Sequence, residues 1–100
     1  MSETYTTELF RQEGDQFRAV DLTVNAGGSV KLYAQDMGVD VKEIWGDDEY
    51  EFWVDVPAKE LHKLVFALLR EKYSGRSQAV TEFKEFCGNE AIKHEFQSWS

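Results

Sequence analysis

The chain has 100 residues, among them seven Phe, four Tyr and three Trp, with 30% charged residues and a formal net charge of −8. That length suits a single domain spanning 1–100, able to bury roughly two thirds of the surface its unfolded form exposes, and the composition excludes intrinsic disorder. No apolar run approaches the ~20 residues of a spanning helix, the opening MSETYTTELF lacks a signal peptide's basic end and apolar stretch, and Cys87 has no partner for an internal disulfide, so the cytoplasm is the expected compartment.

The N-terminal third reads as strands separated by turns. TYTTELFR is rich in β-branched and aromatic residues and stops at QEGD, where Gly14 and Asp15 favour a turn. QFRAVDLTVN follows, then AGGS, then VKLYAQDM, which gives a three-stranded meander. In the third strand Val30, Leu32 and Ala34 alternate with Lys31, Tyr33 and Gln35, the pattern of one buried and one wetter face. Gly27 and Gly28 fit a hairpin turn needing positive φ. No helix follows them, so the context of a phosphate-binding loop is missing.

Past Gly38, VDVKEIWG is compatible with a short helix ended by Gly46 or with an extended segment, and the helix is preferred. EYEFWVDVP then shows the clearest alternation in the chain, with Tyr50, Phe52, Val54 and Val56 on one side and Glu49, Glu51, Trp53 and Asp55 on the other. Pro57 ends this fourth strand and suits the first turn of a helix, where its missing N–H costs nothing. Leu61, Leu64, Val65, Leu68 and Leu69 form one stripe of a core helix over Ala58 to Tyr73. SGRS breaks the chain. Ser77 is the expected cap of a second helix carrying Ala79, Val80, Phe83, Phe86 and Cys87 on one arc and ending at Gly88 and Asn89. In the tail, Ile92, His94, Phe96 and Ser98 alternate with Lys93, Glu95, Gln97 and Trp99, which predicts a final strand. The order β-β-β-(short α)-β-α-α-β implies an α+β fold, with an antiparallel sheet of four to five strands and two consecutive helices packed on one face.

The acidity is local. Between Asp36 and Asp55 there are eight acids (Asp36, Asp40, Glu43, Asp47, Asp48, Glu49, Glu51 and Asp55) against Lys42 alone, so this segment carries −7, and the rest of the chain is nearly neutral. Such a face disfavours nucleic acid and anionic membranes, which require the opposite sign.

Three readings of the acidic run compete. Gly46, Asp47 and Asp48 suit a solvated turn. Glu49, Glu51 and Asp55, about 7 Å apart on one strand face with Trp53 among them, would make an anionic ladder around an aromatic anchor for a basic protein or peptide. Asp47, Asp48, Glu49 and Glu51 also offer oxygens of the kind Ca²⁺ prefers, although the spacing of a Ca²⁺-binding loop is absent. Trp53 divides evenly between exposure among acids and burial under a neighbouring element, Trp45 reads as core, and Trp99 either covers a sheet edge or frays. Catalysis has no support in the residues. His62 has no nucleophile at a useful spacing, Cys87 falls on an apolar face as a small buried hydrophobe, and His94 would reach it only if the tail folded back.

At AQDMG, EIWGDDEYEFW and VPAKEL, the chain resembles small uncharacterised bacterial proteins with a QD-hydrophobic-G element, a WG-D-x-x-YE element and an aromatic series before a leucine-rich helix. The likeness spans Gln35 to Leu69. It implies a bacterial source, no particular activity, and that Gln35, Asp36, Gly38, Trp45, Gly46, Asp48, Tyr50 and Glu51 form one motif.

The leading expectation is a non-enzymatic, acidic protein-interaction module of the immunity or inhibitor type. It would bind a basic partner through Asp47, Asp48, Glu49, Glu51, Trp53 and Asp55, without a cofactor, resident metal or catalytic residue. The alternative is a small-ligand- or divalent-metal-binding domain at the acidic turn. An uncovered sheet face bearing Leu22, Tyr33 or Trp53 would also suit a homodimer.

Overall fold

Turn chemistry and strand alternation together set the sheet. The computed structural model describes residues 3–38 and 49–99, which comprise a four-stranded antiparallel meander followed by two helices, an α+β arrangement. The strands are β1 (Tyr5–Gln12), β2 (Gln16–Val24), β3 (Val30–Gly38) and β4 (Glu49–Val56), in the order β1-β2-β3-β4. The expected short helix before β4, with Ile44, Trp45 and Gly46, and the turn residues Asp47 and Asp48 lie outside the described residues.

Glycine is required where the backbone turns left-handed. Between β2 and β3, the Gly28 N–H donates to the Asn25 carbonyl at 2.8 Å and the Asn25 N–H donates to the Ser29 carbonyl at 2.8 Å, with Gly28 at φ +100°. This is the three-residue hairpin loop that ends in a left-handed glycine. Of the expected glycine pair, Gly28 takes the positive φ. Gly38, at the end of β3, has φ +135°, and a Cβ there would stand 2.5 Å from the Asp15 carbonyl oxygen. Any side chain at that position would strike the β1–β2 turn.

Antiparallel partners share a face, so the register sorts the side chains. One face carries Val20, Leu22 and Val24 from β2, Val30, Leu32 and Ala34 from β3, and Tyr50, Phe52, Val54 and Val56 from β4, through pairs such as Leu22↔Leu32↔Val54 and Val20↔Ala34↔Phe52. Ala34 is buried, whereas Leu32 is 45% and Val54 67% exposed. The only charges from β2 to β4 on this face are Arg18 and Asp36, joined by two bonds of 2.5 Å each, with the guanidinium 5.7 Å from the Phe52 ring centroid. Leu22 thus lies on the face opposite Tyr33 and Trp53. In β1 the register shifts between Glu8 and Phe10, leaving Leu9 as the extra residue of a bulge.

The chain divides into two units, Met1–Leu64 and Val65–Ser100. Pro57 opens a 3₁₀ turn, Ala58–Glu60, that leads into α1 (Leu61–Tyr73). In the second unit Tyr73 meets Phe83 of α2 (Ala79–Asn89) edge-on, with ring centroids 5.8 Å apart, and Cys87 is buried as expected. Ser77 does not cap α2. The N-cap position falls to Gln78, without a side-chain bond, and the Arg76 carbonyl accepts the Ala79 N–H at 3.1 Å. Arg76 also bridges the first turn through two bonds to Glu82, at 2.5 and 2.7 Å, and an acid in the first helical turn already suits the helix dipole.

α2 ends at Asn89, as expected, and the turn beyond it closes the helix. The Ile92 N–H donates to the Cys87 carbonyl at 2.8 Å and the Ala91 N–H to the Gly88 carbonyl at 3.2 Å, with Ala91 at φ +56°. This pair of bonds is a Schellman cap, and its left-handed position is filled by alanine instead of Gly88. The expected final strand is not formed, because Ile92–Trp99 is neither strand nor helix. Alternation assigns side chains to faces but supplies no ladder partner. Here Ile92 is committed to the helix cap, and the His94 Nδ1 stands 2.8 Å from the Ile92 carbonyl, so local bonds occupy the start of the segment.

Candidate functional site

Strand alternation projects Glu49, Glu51, Trp53 and Asp55 to the same side of β4, as the sequence predicts. Asp47 and Asp48, the other two predicted site residues, lie outside the described residues. The register places each of the four in a cross-strand row. Glu49 stands beside Met37 and Phe17, Glu51 beside Gln35, Ala19 and Arg11, Trp53 beside Tyr33, Asp21 and Glu8, and Asp55 beside Lys31, Thr23 and Thr6. The middle of the sheet therefore contributes to this face as much as the acidic strand does.

Trp53 resolves to the exposed alternative. It is 52% accessible between Glu51 and Asp55. Its ring stacks on Tyr33 with centroids 6.1 Å apart and planes inclined by 26°, and the Lys31 ammonium lies 5.3 Å from its centroid. Stacking and the cation hold the indole in place on β3 while leaving part of it open to solvent. An anchor ordered in this way loses little further rotamer freedom when a partner covers it.

The carboxylates are positioned by donors from β3. The Tyr33 hydroxyl donates to Glu51, and Gln35 Nε2 donates to Glu49 Oε1 at 2.6 Å. The hydrogen bond to Glu51 pushes the Tyr33 phenol up to about 12, with desolvation and the charges of Glu51, Glu49 and Asp21 adding to the same effect. Ionising the phenol would set a phenolate against three carboxylates. Tyr33, Gln35 and Lys31 were legible as the wetter side of β3. Their role in orienting the acids was not, because it depends on a register that no local pattern specifies.

Two acids escaped the sequence reading for the same reason. Asp21 and Glu8 join the Trp53 row from β2 and β1. Across the four strands this face carries Glu8, Asp21, Glu49, Glu51 and Asp55 against Arg11 and Lys31. Arg11 is held at the far side by Glu8, at 2.8 Å, and lies 5.3 Å from the Phe17 centroid. The negative potential is consequently strongest toward β4.

Of the eight motif residues, Trp45, Gly46 and Asp48 lie outside the described residues. Gln35 pairs with Glu51 and Asp36 with Tyr50, so the QD of β3 and the YE of β4 are cross-strand neighbours, and Gly38 closes the same end of the sheet. Among the described residues no group of three or more His, Cys, Asp and Glu side chains is placed to hold a metal ion, and no helix is long and apolar enough to cross a membrane. Compared with protein-family models, curated proteins and solved structures, the chain matches none.

Proposed function

We propose that this chain is a non-enzymatic protein-interaction module that binds a basic partner in the cytoplasm through the acidic face of β4, in the manner of an immunity or inhibitor protein. Glu49, Glu51 and Asp55 supply the charge, Trp53 is the anchor, and Asp47 and Asp48 belong to the same proposed binding set. The observation that carries the reading is Trp53, half exposed between Glu51 and Asp55 and braced by Tyr33 and Lys31. Exposed aromatic residues ringed by charge are the usual centres of binding energy, and a one-signed field speeds the encounter with an oppositely charged partner.

The test is to mix the protein with a panel of basic proteins, including toxins and nucleases encoded beside its gene, at low and high salt. The expected result is a binder whose affinity falls as salt rises and falls again when Glu49, Glu51 and Asp55 are changed together to Gln, Gln and Asn. If no panel member binds in a salt-sensitive way, the reading is wrong.

A further inference from the structure

The face of the sheet opposite the acidic one carries no charge in three of its cross-strand rows. Tyr5 and Val56 end the first row, Thr7 and Val54 the second, and Phe10 and Phe52 the third, with valine, leucine and alanine between them on β2 and β3. Among the paired residues of this face, charge appears only in the next row, where Arg18 and Asp36 neutralise each other and Tyr50 stacks on Phe52 with ring centroids 5.2 Å apart. That row is not part of the patch.

The patch itself is open. Leu32 belongs to an inner strand, flanked by β2 and β4, and is still 45% exposed, while Tyr5 is 63%, Phe10 48%, Phe52 39% and Val54 67% exposed. At these fractions the five leave roughly 600 Å² accessible, and their half-buried neighbours raise the face to about 800 Å², the share of one partner in a stable interface of standard size. The described residues offer little apolar burial elsewhere. Among them the buried hydrophobic residues are Ala19, Ala34 and Cys87, and no large side chain is fully buried. A chain of this length stays folded by withdrawing its large apolar side chains from water, so the face is half of a core that lacks its second layer.

We propose that the second layer is the same face of a second copy, so that the chain is a homodimer whose two sheets pack face to face about a two-fold axis. Obligate homodimer interfaces resemble a domain core cut in half, and a copy of the chain is the occupant present whenever the chain is made. Charge favours the same pairing. Each chain carries −8, and copies of one sign approach most easily through a surface on which no net charge stands. The acidic faces then point outward on the two sides of the dimer. The proposal uses the face opposite the one in the interaction reading above and does not depend on it.

Sedimentation equilibrium of the full chain between about 1 and 100 µM tests the pairing. The expected mass is twice the chain's 11.6 kDa. Val54→Lys places an ammonium group in the interface and should raise the dissociation constant at least about tenfold. Thr7→Lys should do the same, and because it replaces a residue that is already polar on an edge strand, it serves if Val54→Lys does not fold. Dissociation of either variant with its circular dichroism retained supports the proposal, as does a dimer that survives Trp53→Ala on the acidic face. A single-chain mass throughout the range overturns it, and the patch is then covered within the chain. A dimer that resists both lysine variants, or that comes apart in Trp53→Ala, uses another surface and overturns it as well. None of these outcomes decides the acidic face, whose salt-dependent binding is measured separately.

Discussion

Tyr33 and Trp53 face each other across β3 and β4 and do different work on the same surface. Trp53 lays its ring against Tyr33 with centroids 6.1 Å apart, and the Tyr33 hydroxyl donates to Glu51, one of the two acids that flank Trp53 along β4 on that face. One tyrosine thus orients both the aromatic and the anionic half of the candidate site.

Trp53→Ala should remove the anchor while sparing the fold. A half-exposed cross-strand aromatic pair contributes about 0.5–1.5 kcal/mol, so urea melts should show a loss of that order and retained cooperativity. Binding of the basic partner should fall much further than stability does. Equal losses in both would make Trp53 architectural.

Alkaline titration provides a second check. The phenol's pKa is raised on folding, from the usual value near 10 to about 12, so its contribution to stability is complete below the unfolded value and is lost as pH rises through the folded one. Near-UV absorbance should show one tyrosine ionising last, at about 12. Glu51→Gln should bring that titration down, and an unchanged curve would dissociate the shift from Glu51.

Gly38→Ala should be more damaging than Gly14→Ala. Both glycines have positive φ, but a Cβ at Gly38 meets the Asp15 carbonyl oxygen at 2.5 Å, and one at Gly14 meets nothing within 4 Å. The conformational penalty alone is about 1–3 kcal/mol at either position. The clash adds to it only at Gly38, so the difference between the two melts reads the steric term. Equal losses would show that the β1–β2 turn can shift.

Ala91→Gly should stabilise the second helix. Ala91 holds the left-handed position of the cap at φ +56°, where a Cβ costs about 1–2 kcal/mol. Glycine removes that strain but returns part of the gain as unfolded-state entropy, leaving about 0.5 kcal/mol. Chemical denaturation of the full chain followed by circular dichroism measures it, and a destabilised variant would mean the alanine methyl makes a contact worth more than its strain.

Most of the sheet could be read from the residues, for reasons that can be named. β4 alternates without a break and ends at Pro57, and β2 and β3 are separated by a glycine turn, so their boundaries fall close to where the pattern places them. The second helix ends at Asn89, where Gly88 and Asn89 place its end, but the cap beyond it could not be read, because its left-handed position goes to Ala91, a residue with no preference for that conformation. The tail alternates as cleanly as a strand, but alternation is a statement about faces and does not supply a ladder partner. On the site, the spacing of Glu49, Glu51, Trp53 and Asp55 was enough to put them on one side. The contributions of Tyr33, Asp21 and Glu8 required the cross-strand register, which links residues far apart in sequence.

The strand order β1-β2-β3-β4 also bears on how the chain acquires its structure. Every strand pairs with its neighbour in sequence, so each ladder closes a short loop and none waits for a distant segment. The last pairing residue is Val56. During synthesis the sheet can therefore reach its full register before either helix has emerged, and the acidic face of β4 takes shape with the sheet, ahead of the helical half of the chain.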